Sequence, residues 1–96
     1  MWNTLHAVAH TRPARATTEQ AADFATFLRV LEHVIPCPRC KVHYGTFLRD
    51  HADDYDLQSR TGGIRLLHDL HNEVNVRLGK RAVSLGEHYA VYSLDA

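Results

Sequence analysis

Apolar residues recur through most of the chain at the spacing of a helix. Phe24, Phe27, Leu28, Leu31 and Ile35 are separated mainly by steps of three and four residues, which place side chains on one face of an α-helix. Thr17 and Gln20 precede this segment with the pattern of a capping box. The sequence therefore predicts a helix over about residues 18–34.

The remaining segments also have helical patterns, and none shows the alternation typical of a strand. Further helices are predicted over about residues 2–10, after Pro36, from about Gly63 to a left-handed cap at Gly79, and from Ser84 through Tyr92. Ser84 and Glu87 supply a second capping box for the last of these. The predicted fold class is all-α, a four-helix bundle with a short fifth helix.

Three different stripes run along the predicted fourth helix. A charged stripe suits solvent and an apolar stripe suits the core: Arg65, Asp69, Glu73 and Arg77 form the first, and Leu66, Leu67, Leu70, Val74 and Leu78 the second. The third stripe is polar but uncharged, and consists of His68, His71, Asn72, Asn75 and Gly79. Such groups beside a core stripe suit a planar ligand rich in donors and acceptors. A boundary face satisfied by water and neighbouring helices is the alternative.

Length and charge narrow the function classes. The chain of 96 residues is expected to form one domain over residues 1–96. Its 11 basic and 11 acidic residues cancel without a basic block, which argues against nucleic acid as a partner. Neither a signal peptide nor an apolar run long enough for a membrane span is evident, so an intracellular location is expected.

Histidine is abundant, with eight residues in the chain. His10, His33, His51 and His88 share no spacing and are expected to lie on the surface. No metal ligands are assigned.

The two cysteines are the strongest candidates for chemistry. Cys37 and Cys40 form a Cys-Pro-Arg-Cys motif directly after Pro36, and they are the only cysteines. If a helix follows, Cys37 lies at its N-terminus, where unpaired N–H groups stabilise a thiolate. This favours a redox pair. Half of a zinc site, with His43 as a third ligand, is the rival interpretation, although no second CxxC is present to complete it.

Three motifs in a fixed order identify a family. They are Trp2-x-x-Leu5-His6-x-x-Ala9, then the CxxC with His43, then His71-Asn72-Glu73-Val74-Asn75 followed by Leu78-Gly79-Lys80. This set resembles the Erv/ALR family of FAD-linked sulfhydryl oxidases over nearly the whole chain. Since this chain is compact and has no second CxxC, it is similar to the family members of large DNA viruses. A viral origin would imply the host cytoplasm or the virion as its location.

The resemblance implies a bundle that binds FAD at its mouth, beside the CxxC disulfide. The catalytic residues would be Cys37, exposed to substrate, and Cys40, next to the flavin. The cofactor-binding residues would be Trp2, His6, Cys40, His43, His71, Asn72, Asn75, Lys80 and Tyr92. The implied activity is disulfide formation in thiol-containing protein substrates, with electrons passed to molecular oxygen to give hydrogen peroxide.

The resemblance also implies a non-covalent homodimer formed through the first helices. Some family features are replaced in this chain. His68 and Leu85 stand where a structural disulfide is common, and Leu66 stands where a Trp is usual. A small zinc-binding or helical interaction module with a structural CxxC remains the alternative function.

Overall fold

The computed structural model describes residues 2–92, except for the side chain of Tyr92. The described chain contains five α-helices: α1 Trp2–His10, α2 Thr18–Leu31, α3 Pro38–His51, α4 Arg60–Arg77 and α5 Leu85–Tyr92, with a 3-10 turn at Ala52–Asp54 after α3. Within these residues the only extended pairing is one antiparallel bridge between Arg15 and Ser59. The predicted all-α class is confirmed.

Both predicted capping boxes are present. Thr17 Oγ1 accepts from Gln20 N–H at 3.0 Å, and Gln20 Oε1 accepts from Thr17 N–H at 2.9 Å. Before α5, Ser84 Oγ accepts from Glu87 N–H at 3.1 Å. These local signals define where α2 and α5 begin.

The ends of two helices differ from the prediction. α2 ends at Leu31, three residues earlier than predicted, and the next three N–H groups bond to carbonyls three residues back. This tighter turn leads to Ile35, whose position before Pro36 disfavours helical backbone. α4 begins at Arg60, before the predicted Gly63, because Ser59 Oγ caps it by accepting from Gly62 N–H at 3.0 Å.

The core lies around α4. Leu66, Leu67 and Leu70 are each 0% exposed and pack with Leu5, Ala9, Leu28 and Tyr44 from the other helices. The apolar stripe predicted for α4 is thus confirmed as the core face. On α2, Phe24 and Leu28 are buried in this core, whereas Phe27 of the same apolar pattern is 39% exposed.

A buried hydrogen bond fixes α3 against α2. The Tyr44 hydroxyl donates to the carbonyl oxygen of Leu28 at 2.6 Å. Since Tyr44 lies one turn after Cys40 on α3, this bond also fixes the position of the cysteine motif. None of the described helices is long and apolar enough to cross a lipid bilayer.

Candidate functional site

The cysteine motif forms the N-terminus of α3. Cys37 is the N-cap residue and Pro38 is the first helical residue, where its fixed φ and missing N–H are tolerated. Both cysteines are free thiols, and Cys37 Sγ accepts a hydrogen bond from Cys40 N–H at 3.4 Å. In the first turn of α3, a backbone N–H group that has no carbonyl partner within the helix therefore points at the Cys37 sulfur.

The two thiols have opposite pKa shifts. The hydrogen bond from the Cys40 thiol, followed by the hydrogen bond from the Cys40 backbone N–H, lowers the pKa of Cys37. The same hydrogen bond to Cys37, followed by burial, raises the pKa of Cys40, and Lys80 opposes that rise. Because the thiolate is the reactive form, Cys37 is the better nucleophile of the pair.

A cluster of aromatic rings joins α1, α4 and α5. Trp2 stacks on His71 with ring centroids 4.1 Å apart and planes at 7°. His6 Nε2 lies 2.9 Å from His71 Nδ1, and the His88 ring is centred 4.4 Å from that of His6. Three helices therefore contribute rings to one cluster.

The histidines of this cluster are neutral at pH 7. Burial, followed by the neighbouring His88, lowers the pKa of His6 to about 3 and that of His71 to about 4. Burial also lowers the pKa of His68 and His88. The uncharged stripe predicted on α4 thus retains its neutral character in the folded chain.

The two asparagines of α4 contact the segment after the helix. The Asn72 amide donates to the Val83 carbonyl at 2.7 Å and accepts from Val83 N–H at 2.7 Å. Asn75 is 9% exposed, and its backbone carbonyl accepts from Lys80 N–H at 2.7 Å. Gly79, with φ of 77°, makes this reversal possible.

Lys80 links the cysteines to the ring cluster. Its ammonium group acts electrostatically on both Cys40 and His71. The sequence places these residues on separate helices, α3 and α4. Cys40 and His71 therefore both lie within electrostatic range of the same ammonium group.

Some predicted cofactor residues lie elsewhere or are covered. His43 lines a cavity of about 270 Å³ with Glu73 and Arg77. His6 is only 1% exposed, so it lies behind Trp2 and His71. The side chain of Tyr92 is outside the described residues.

A second cavity does not coincide with the predicted chemistry. It measures about 450 Å³ and lies between α2 and α3, where Leu28, Glu32 and Leu48 contribute to its lining. None of the predicted site residues lines it. We locate the candidate site by its reactive and hydrogen-bonding groups, because volume alone specifies no chemistry.

Two histidines expected on the surface are buried, and that expectation was wrong. His10 is 6% exposed and contacts the Tyr89 ring edge-on, while His88 is 4% exposed. His88 Nδ1 lies 2.6 Å from His68 Nδ1. One feature of the sequence helps to place His88. The capping box at Ser84 sets where α5 begins and therefore where His88 lies on that helix.

The alternative zinc site is not formed by the cysteines. Across residues 2–92, the three-ligand cluster with suitable spacing comprises His6, His71 and His88 instead of Cys37, Cys40 and His43. A structural zinc site needs four closely spaced ligands.

The donor set fits a flavin dinucleotide. Trp2 and His71 are half-buried and present aromatic rings, and neutral histidine and amide groups lie beside them. Lys80 is exposed and supplies a positive charge suited to a pyrophosphate. A planar heterocycle, polar edges and two phosphates require these three kinds of group together.

Comparison with known proteins agrees with this geometry. The chain matches the Erv1 / Alr family model over residues 1–92. It is 32% identical over 79 residues to the mitochondrial FAD-linked sulfhydryl oxidase ERV1 of Saccharomyces cerevisiae, a match covering 82% of this chain and 41% of that protein. It is 35% identical over 98 residues to a Frog virus 3 protein named as an FAD-linked sulfhydryl oxidase, covering 99% of this chain and 65% of the viral protein.

Solved structures show the same fold. The FAD binding domain of Erv1 from Saccharomyces cerevisiae has a TM-score of 0.84 at 28% identity, covering 95% of this chain and 85% of that domain. The yeast Erv1 core has a TM-score of 0.85 at 28% identity, covering 95% of this chain and 75% of that one. The chain spans between 41% and 65% of the length of the curated relatives described above.

Proposed function

Because the chain belongs to the Erv1 / Alr family, we propose that it is an FAD-dependent thiol oxidase that forms disulfides in substrate proteins. The observation that carries this proposal is the position of Lys80, which acts on Cys40 and on His71. Two thiols with opposite pKa shifts would thereby lie next to aromatic rings that suit a flavin. The proposal takes residues 1–96 as one oxidase domain.

The cysteines exchange disulfides with the substrate. A substrate thiolate attacks Cys37 Sγ of the closed Cys37–Cys40 disulfide, and Cys40 leaves as a thiolate. The second substrate thiol then attacks the substrate sulfur of the mixed disulfide and expels Cys37. The lowered pKa of Cys37 makes it a good leaving group in this second step. The substrate gains a disulfide, and two electrons remain on the reduced cysteine pair.

The reduced pair must be reoxidised for another cycle. A bound FAD would supply the two-electron acceptor for this reoxidation and the route to molecular oxygen, which would give hydrogen peroxide. Cys40 is the sulfur on the cofactor side, since the charge of Lys80 acts on its thiol, whereas the charge that acts on Cys37 is that of Arg39. Cys37, at the N-cap, remains the sulfur that meets protein thiols.

The proposed cofactor contacts form three groups. Trp2 and His71 would provide the stacking surface, and His6 would hold His71 from behind. Asn72 and Asn75 would set the segment that carries Lys80, which would bind the pyrophosphate. His43 and Tyr92 complete the proposed set.

The proposal includes a non-covalent homodimer. On α2, Phe27 and Val30 are 39% and 56% exposed, and Val34 just beyond the helix is 66% exposed. These positions share one side of the segment, and a second copy would cover an apolar face that a small bundle leaves in water.

Cysteine substitutions test the oxidase function. Cys37→Ser and Cys40→Ser should each abolish oxygen consumption with a dithiol substrate while the purified variants keep their flavin absorbance. The surface variant His33→Ala is the matched control and should retain both properties. Turnover by either serine variant would refute the mechanism, and a wild-type chain that binds no flavin would refute the oxidase function itself.

A further inference from the structure

The cavity of about 450 Å³ between α2 and α3 contains none of the residues of the proposed oxidase site. Its inner end reaches the core, because Leu28, Leu48 and Leu66 line it and are 1%, 7% and 0% exposed. Its outer end opens to solvent between the exposed side chains of Arg29 and Arg49. Small-molecule sites commonly have volumes of about 300–1,000 Å³, an apolar lining and a few polar groups.

The proposed dimer would leave this cavity accessible. Ala25, Arg29 and Glu32 line it from α2. At about 100° per residue, these positions lie on the opposite side of the helix from Phe27 and Val30. The cavity and the face proposed for self-association therefore do not compete for the same surface.

An ion pair is fixed at the wall of the cavity. Arg49 Nη1 donates to Glu32 Oε1 at 3.0 Å, and the Glu32 side chain is 23% exposed. Gly45 makes this position possible, since a β-carbon at Gly45 would lie 1.5 Å from that oxygen. The carboxylate thus lies against the backbone of α3, at a place from which a side chain on residue 45 would exclude it.

The charged groups of the cavity favour a neutral ligand. Two arginines, Arg29 and Arg49, are balanced by two carboxylates, Glu32 and Asp53, so a charged ligand would meet no net opposite charge. The ion pair still has hydrogen-bonding capacity, because Glu32 Oε2 accepts no bond from residues 2–92 and Arg49 keeps further N–H groups. An acceptor and a donor therefore lie side by side at the edge of an apolar cavity.

We propose that this cavity binds a small neutral aromatic carboxamide, with its ring among the leucines and its amide on the Glu32–Arg49 pair. The amide N–H would donate to Glu32 and the amide oxygen would accept from Arg49, and hydrogen bonds to charged groups are the stronger kind. The ring would replace water against Leu28, Leu48 and Leu66, which is favourable for apolar surface. The proposal does not rest on the oxidase function.

Four probes that share one ring test the ligand class. Benzamide offers a donor and an acceptor, benzoate lacks the donor, benzylammonium lacks the acceptor, and toluene lacks both. Amide chemical shifts of the full chain should change at Ala25 and Gly45 on titration. Benzamide should bind roughly two- to tenfold more tightly than each of the other probes, because each of them loses at least one hydrogen bond. Absent benzamide binding at the cavity, or equal or tighter binding of any other probe, would overturn the proposal.

A pair of glycine variants tests the position of the carboxylate. In Gly45→Ala the added methyl group would displace the flexible end of Glu32, and benzamide binding should weaken. Gly86→Ala on α5 is the matched control, because the nearest atom to its added β-carbon is Ser84 Oγ at 3.9 Å. This control should bind benzamide as the wild type does. Equal affinities for the two variants would show that the carboxylate does not contact the ligand.

A pair of arginine variants tests the donor. Arg49→Met keeps an apolar stem and removes the guanidinium group, and the 65% exposure of this side chain makes misfolding an unlikely cause of any loss. Benzamide binding should weaken roughly two- to tenfold while toluene binding stays unchanged. Arg65→Met, on the charged stripe of α4, is the control and should change neither. Unchanged benzamide affinity in Arg49→Met would overturn the proposal.

The ligand site and the oxidase function can fail independently. Flavin absorbance and oxygen consumption report the oxidase in the same samples. A flavin-loaded, active chain that does not bind benzamide would remove only the ligand site. A colourless chain that prefers benzamide to the other probes would support the ligand site and remove only the oxidase.

Discussion

The indole of Trp2 lies flat against the imidazole of His71, with centroids 4.1 Å apart and 7° between the planes. His6, one turn after Trp2 on α1, contacts the same imidazole through nitrogens 2.9 Å apart. One face and one edge of His71 are therefore fixed by α1. Since His71 belongs to the neutral stripe of α4, the orientation of that stripe depends on α1 as well as on its own helix.

Trp2→Ala should weaken FAD binding, because it removes both a stacking surface and the restraint on His71. An aromatic pair contributes about 0.5–1.5 kcal/mol beyond its buried area, which corresponds to roughly a two- to tenfold rise in the dissociation constant. Flavin fluorescence titration measures the change. Trp2→Phe is the control and should keep most of the affinity. Equal affinities for the two variants would show that the ring at this position does not support the cofactor.

Limited alkylation of the reduced protein at pH 7 should modify Cys37 before Cys40. The reason is the pKa difference, since hydrogen bonding lowers the pKa of Cys37 and the same interaction raises that of Cys40. Peptide mass mapping after iodoacetamide treatment gives the order of modification. Cys40→Ala should slow the reaction of Cys37, because it removes the first cause of the lowered pKa. Faster labelling of Cys40 would reverse the assigned roles.

Local sequence signals predicted the helices well but not all of their ends. Thr17 with Gln20 and Ser84 with Glu87 form the expected boxes because both partners lie within one turn. The cap at Ser59 was missed because Gly62 stands three residues later, where a capping box has a Glu or Gln side chain. α2 ends early because the residue before Pro36 disfavours helical backbone. The spacing of the apolar residues carries no information about this effect.

The site was predictable along each helix but not between helices. The spacing of His71, Asn72 and Asn75 revealed a neutral stripe on α4. The burial of His10 and His88 was missed because α5 packs against α1 and α4 through tertiary contacts that no local pattern encodes. The separation of His43 from the ring cluster has the same origin, since α3 directs it towards Glu73 and Arg77.

The folded chain should lose stability as the pH falls below about 6.5. Burial and neighbouring His88 lower the folded-state pKa of His6 to about 3 and of His71 to about 4, from 6.5 when unfolded. The unfolded chain then binds more protons between these values, so acidification favours unfolding. Since one pKa unit corresponds to about 1.4 kcal/mol and each of the two histidines resists protonation over about two pH units, the expected loss by pH 4.5 is at most about 5 kcal/mol.

Urea denaturation at pH 7.5, 6.0 and 4.5 measures this dependence. His33→Ala, which changes an exposed histidine, should reproduce the wild-type profile. His6→Gln should flatten it, because glutamine cannot take up the proton. A free energy of unfolding that is constant or rises on acidification would contradict the buried neutral state of the cluster.

The exposed apolar face of α2 should mediate self-association, and Val30→Asp should disrupt it. Val30 is 56% exposed beside Phe27, so a carboxylate there would be desolvated in a dimer but hydrated in a monomer. Val91→Asp is the matched control, because Val91 is 70% exposed on α5, away from that face. Sedimentation equilibrium at micromolar concentration should show a dimer for wild type and Val91→Asp, and a monomer for Val30→Asp. Reductant should not change these masses, because both cysteines belong to the redox pair. A wild-type chain at monomer mass would exclude the dimer and leave the oxidase chemistry unaffected.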